Sequence, residues 1–146
     1  MGKPELIAID HDDYHASHVG RLPDGRQFFL TTPFLPATGG AGREFVALYL
    51  FDQRGRFLEA RIDDMGTQSQ LNEQGARRTL DQRIADLGPV EYHRIEVQPF
   101  QVERFGITFG LVLRPPEQDD GHWWVELQPG NYMAFHEPWG SGEYDT

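Results

Sequence analysis

The segment Glu44-Phe45-Val46-Ala47-Leu48-Tyr49-Leu50-Phe51-Asp52-Gln53-Arg54-Gly55-Arg56-Phe57-Leu58-Glu59-Ala60-Arg61-Ile62-Asp63 holds two hydrophobic patterns joined by a polar turn. From Phe45 to Phe51 every side chain is apolar or aromatic, a run of strand length. A run without alternation predicts a strand covered on both faces. Asp52-Gln53-Arg54-Gly55 then turns the chain. Beyond it, Leu58, Ala60 and Ile62 alternate with Glu59, Arg61 and Asp63. That period of two predicts a strand with one dry face and one wet face.

Upstream of this pair, Leu6 to Ile9 reads as a short strand. Tyr14 to Val19 and Gln27 to Thr31 flank Leu22-Pro23-Asp24-Gly25-Arg26, a hairpin in which Pro23 presets the turn. Thr32 to Gly42 contains Pro33, Pro36, Gly39, Gly40 and Gly42 and reads as a loop. Downstream, Thr67 or Ser69 caps a helix whose Leu71, Leu80, Ile84 and Leu87 share one stripe, and Gly88-Pro89 ends it. Glu73, Arg77, Asp81, Arg83 and Asp86 form its solvated face. Strands follow at Tyr92–Val97, Phe100–Glu103, Ile107–Leu113 and His122–Leu127, while Gln128 to Thr146 shows no regular period. These patterns predict an α+β fold in one domain spanning 1–146. It is built on a largely antiparallel sheet of about seven or eight strands, with one main helix, about 68–87, packed on one face.

The 146 residues suit one domain. Cysteine is absent, which excludes a disulfide framework, thiol catalysis and cysteine-ligated metal. Asp and Glu number 23 against 13 Lys and Arg, a formal charge of −10. That excess argues against binding nucleic acid or an anionic membrane, because phosphates repel it. Met1 to Asp10 lacks the apolar stretch of a secretory signal. Position 6 is Leu where myristoylation needs Ser or Thr. No apolar run approaches the ~20 residues of a membrane-spanning helix. The expected location is cytoplasmic.

Chemistry-bearing residues gather in Asp10-His11-Asp12-Asp13-Tyr14-His15-Ala16-Ser17-His18, where three of the six histidines alternate with acids. Imidazole and carboxylate suit zinc, iron or manganese. The alternative function is therefore a small metal-dependent enzyme using the His11–His18 cluster. On one strand His11, Asp13 and His15 would share a face and His18 would take the other. No His-Glu-x-x-His or calcium-loop spacing accompanies them, and a solvated acidic turn contains the same residue types. Ser17, Ser69 and Ser141 lie outside any Gly-x-Ser-x-Gly elbow. Glu59, Asp63 and Asp64 offer paired carboxylates, but a wet strand face supplies these too. No catalytic residue, metal or cofactor is assigned.

The C-terminal fifth is different. From Pro115 to Thr146 there is no Lys or Arg, while seven acids supply seven of the ten units of net negative charge. All three tryptophans, Trp123, Trp124 and Trp139, lie there with Tyr132. Adjacent in a strand, Trp123 and Trp124 point to opposite faces, so one fills the core while the other faces outward. Large aromatics beside acids suit a protein-binding face that steers a basic partner. The candidate partner-binding residues are Trp123, Trp124, Trp139, Tyr132, Asp119, Asp120 and Glu137.

Several segments also resemble a group of small bacterial proteins. These are Asp24-Gly25-Arg26-Gln27-Phe28-Phe29, Leu48-Tyr49-Leu50-Phe51-Asp52, Phe100-Gln101-Val102-Glu103, Phe109-Gly110-Leu111-Val112, Phe135-His136-Glu137-Pro138-Trp139 and Tyr144-Asp145-Thr146. The group is labelled formate hydrogenlyase regulatory protein, or HycA-like. The resemblance implies a cytoplasmic, non-enzymatic regulatory protein and transfers no catalytic residue. The expected function is a non-catalytic protein-binding module, either an acidic regulator or an immunity-type inhibitor, that masks a protein partner.

Overall fold

The computed structural model describes residues 4–11, 17–35, 42–67, 73–116, 122–129, 133–136 and 139–141. Its centre is β5 (Arg43–Phe51), the apolar run of the opening segment. One side of β5 pairs with β6 (Phe57–Thr67), and the other with β3 (Gln27–Thr31) and, nearer its start, with β4 (Phe34–Leu35). The sheet continues through β2 (Val19–Arg21) to β7 (Glu91–Tyr92), giving six strands. Every pairing is antiparallel.

Both faces of β5 are covered, as an apolar run without alternation requires. Phe45, Ala47, Tyr49 and Phe51 enter one core, and Val46, Leu48 and Leu50 enter another. The second core lies under α1 (Glu73–Leu87), whose Leu80, Ile84 and Leu87 pack against Phe28, Leu30, Val46, Leu48 and Leu50. The expected stripe is in place; Leu71 and both proposed caps' side chains lie outside the described residues. Arg83, expected on the solvated face, instead reaches down to β6, where Asp63 accepts from its Nε and Nη2 at 2.9 and 2.8 Å.

The first core is closed by a second sheet, not by solvent. β9 (Phe100–Arg104), β10 (Ile107–Arg114), β11 (Trp124–Gln128) and β12 (Ala134–Phe135) form four strands in the order β12-β11-β10-β9. Their inward Phe109, Leu111, Val125, Leu127 and Phe135 meet the Phe45–Phe51 face. Aromatic rings stitch the layers together: Tyr49 meets Phe100 at 4.8 Å, Phe45 meets Phe109 at 5.0 Å, and Phe57 stacks on Phe100 at 4.3 Å. Each such pair adds about 0.5–1.5 kcal/mol beyond its burial. A third sheet of two strands, β1 (Ile7–Ile9) with β8 (Ile95–Val97), also points its apolar residues into this core.

The single sheet of seven or eight strands is therefore corrected. Among the described residues, strands divide into sheets of two, four and six, and the sandwich accounts for both dry faces. Tyr92 to Val97, expected as one strand, splits in two: Tyr92 pairs with β2, while Ile95–Val97 pairs with β1. The Thr32–Gly42 loop contains β4, whose two residues are too few to show a period. Leu58, expected on the dry face, is 50 % exposed. An irregularity between Leu50 and Phe51 shifts the register, so Phe57 enters the core while Ala60 and Ile62 keep their places there.

The β5–β6 turn also anchors the two-stranded sheet. Gly55, at φ +86°, lies so close to β8 that a Cβ would sit 2.3 Å from the Glu96 carbonyl oxygen. The Gln98 N–H donates to the Gly55 carbonyl at 2.8 Å. Buried Gln27 completes the joint: its Nε2 donates to the carbonyls of Asp52 (3.2 Å) and Glu96 (3.0 Å), and its Oε1 accepts from the Glu96 N–H (3.0 Å). No described helix is long and apolar enough to cross a membrane.

Candidate docking surface

The alternation of β11 decides which of its side chains leave the core. Val125 and Leu127 are fully buried between the sheets. Trp124, Glu126 and Gln128 therefore stand on the outer face. The antiparallel register places Arg114 opposite Trp124 and Val112 opposite Glu126. Arg114, the last residue of β10, immediately precedes the cation-free C-terminal fifth in the sequence.

Glu126 organises this face. Its Oε1 accepts from the Trp124 indole Nε1 at 2.8 Å, and its Oε2 accepts from Arg114 Nε at 2.9 Å and Gln128 Nε2 at 3.0 Å. The side chain of Glu126 is 15 % exposed. Burial alone would push its carboxyl up, but hydrogen bonds from Trp124, Arg114 and Gln128, with the Arg114 charge, hold it below the ordinary carboxylate range. The result is a half-buried indole fixed by its polar edge, flanked by a neutralised acid. Gln101, Glu103 and Thr108 extend the same face toward β9, by their register with β10.

The candidate residues fall into three groups. Trp124 is the outward tryptophan. Trp123 precedes the strand pairing and is half-buried as well, so it does not fill the core as a buried strand residue would. The indole that packs against the sandwich core is Trp139, from the short 3₁₀ helix Trp139–Ser141, which lies against β1. Arg94 Nη2 donates to the Gly140 carbonyl and helps to hold that helix. Tyr132, Asp119, Asp120 and Glu137 lie outside the described residues.

Within the histidine cluster, His11 and His18 both lie against Tyr92, with ring centroids 5.5 and 6.0 Å away. His11 Nε2 is 3.1 Å from the Ser17 carbonyl. Asp13 and His15 lie outside the described residues. Among the described residues no three His, Asp or Glu side chains gather as a metal site would require. The acids of β6 are each matched with an arginine: Glu59 with Arg61, Asp63 with Arg83, and Asp64 with Arg43. Ion pairing accounts for these carboxylates.

The sequence singles out Trp124 as a candidate but does not join it to Arg114, Glu126 and Gln128, which the structure brings together. The Trp124–Glu126–Gln128 spacing of two was visible, whereas the pairing with Arg114 is made across a hairpin. No family model, no curated protein and no solved structure matches the chain.

Proposed function

We propose that this protein is a non-catalytic cytoplasmic binding module that masks a protein partner carrying a basic surface. The partner docks on the outer face of the four-stranded sheet, with Trp124 as the central anchor. Trp123, Trp139, Tyr132, Asp119, Asp120 and Glu137 are the further candidates around it. The observation that carries this reading is the Trp124 indole, held by Glu126 on a sheet face that contributes to neither described core. A large aromatic ordered before binding loses little freedom on association, which favours its use as an anchor. The charge of −10 supplies the preference for a cationic partner.

Masking a transcriptional activator would make the protein a regulator, as its resemblance to the HycA-like proteins implies. Masking a basic toxin would make it an immunity-type inhibitor. The test is chemical cross-linking in the native host, followed by identification of the joined chain, for the wild type and Trp124→Ala. A basic protein captured by the wild type, with recovery at least about tenfold lower for the variant, is the expected result. Equal recovery by both proteins rejects this face, and the identity of the captured chain separates the two roles.

A further inference from the structure

A cleft lies away from the four-stranded sheet, between β2 and the connection from α1 to β7. Its volume is about 230 Å³, and Arg21, Leu22, Pro23, Pro89, Val90 and Glu91 line it. This is below the ~300–1,000 Å³ of sites for drug-sized ligands, so it suits an occupant of amino-acid size.

The cleft is preformed. One wall is the β2–β3 turn, closed by the Leu22 N–H on the Arg26 carbonyl (2.8 Å) and the Gly25 N–H on the Leu22 carbonyl (3.0 Å). The other wall begins at the helix end, where the Gly88 N–H donates to the Ala85 carbonyl at 3.1 Å just before Pro89. Pro23 and Pro89 stiffen both walls, because their rings fix φ. Leu22 and Val90 are anchored in the core beneath the helix. At the back, β2 and β7 approach so closely that a Cβ on Gly20 would sit 1.9 Å from the Glu91 carbonyl oxygen.

Arg21 and Glu91 are register partners across β2 and β7, and both line the cleft. Among the described residues neither forms an ion pair or hydrogen bond through its side chain, with the other or elsewhere. Arg43, Arg83 and Arg114, by contrast, each hold a carboxylate. An apolar cleft thus carries one cation and one anion, side by side and, among the described residues, without a side-chain partner. The complementary ligand carries a carboxylate and an ammonium on neighbouring atoms beside an apolar group. A free α-amino acid has that arrangement, whereas either end of a peptide offers one charge alone.

We propose that this cleft binds a free α-amino acid with an apolar side chain. Its carboxylate sits on the Arg21 guanidinium, its ammonium on the Glu91 carboxylate, and its side chain against Leu22, Pro23, Pro89 and Val90. The site is separate from the docking face, so it stands or falls independently of the proposed protein partner.

The test is a nuclear magnetic resonance titration of the ¹⁵N-labelled full chain with L-leucine, N-acetyl-leucine and leucinamide. Leucine at millimolar concentration should give saturable shifts at the amides of Leu22, Val90 and Glu91. Each blocked analogue, lacking one charge, should bind at least about tenfold more weakly. Arg21→Gln and Glu91→Gln should each abolish the leucine shifts while keeping the wild-type melting temperature, since both side chains are exposed. Three results would overturn the proposal: no saturable shift with leucine, N-acetyl-leucine or leucinamide binding as tightly as leucine, or unchanged leucine affinity in either variant. The second would reassign the cleft to a chain terminus.

Discussion

Gln27 shows how much one polar side chain can carry. It is 2 % exposed, yet its amide makes three hydrogen bonds that join β3 and the β5–β6 turn to β8. Gln27→Leu keeps the approximate size but strands the Glu96 N–H and the Glu96 carbonyl, while the Asp52 carbonyl keeps the Gly55 N–H at 3.0 Å. Loss of about 2–3 kcal/mol is expected, read as a lower urea midpoint at unchanged slope. His18 carries a different signature. Burial first, then the positive charges of Arg77 and His11, lower its pKa from 6.5, with Asp81 acting in the opposite sense. The unfolded chain therefore takes up a proton that the folded chain resists. This contribution is fully present above the unfolded pKa of 6.5 and is lost as pH falls from there through the folded value. Urea midpoints between about pH 8 and about pH 5 should fall less steeply for His18→Asn than for the wild type. Identical slopes would remove His18 from the acid response.

At the scale of elements, β6 offers the sharpest contrast. Period-two alternation assigns Leu58 to the dry face, but the irregularity at Leu50–Phe51 brings Phe57 inward instead. Phe57 stacks on Phe100 and meets Phe51 edge-on at 6.0 Å, whereas Leu58 is half exposed. Phe57→Ala should therefore cost about 2–4 kcal/mol, and Leu58→Ala no more than about 0.5 kcal/mol. Equal costs in denaturant melts would contradict the register. The same element explains Arg83. A helical wheel sends it to solvent, but the long edge strand beside α1 supplies Asp63 within its reach. Sequence periodicity describes an element's own faces and is silent about which neighbour stands opposite them.

For the whole molecule, charge governs encounter. A chain at −10 attracts a cationic partner over a range set by salt, and the Debye length shrinks from ~10 Å at 0.1 M to ~3 Å at 1 M. Association with the cross-linked partner should slow steeply as sodium chloride rises, while dissociation changes little. A flat association rate would remove steering from the mechanism. The layers set where the proposed partner would dock. The six-stranded sheet is covered by the helix on one side and by the second sheet on the other, so the outer face around Trp124 belongs to the four-stranded sheet.

The amino-acid order alone determined that β5 would be buried on both sides, that one helix would lay Leu80, Ile84 and Leu87 on a sheet, and that the cation-free C-terminal stretch would carry the indoles. These are consequences of local chemistry: hydrophobic period, turn residues and charge act over neighbouring positions. Tertiary structure decided that the strands would part into three sheets, and that Trp139 would pack against the core while Trp124 turned outward. It also decided that Arg114 would cross a hairpin to Glu126, and that Arg21 and Glu91 would face one cleft. Each of those outcomes depends on which distant backbone lies alongside, and no pattern within a single strand encodes its partner.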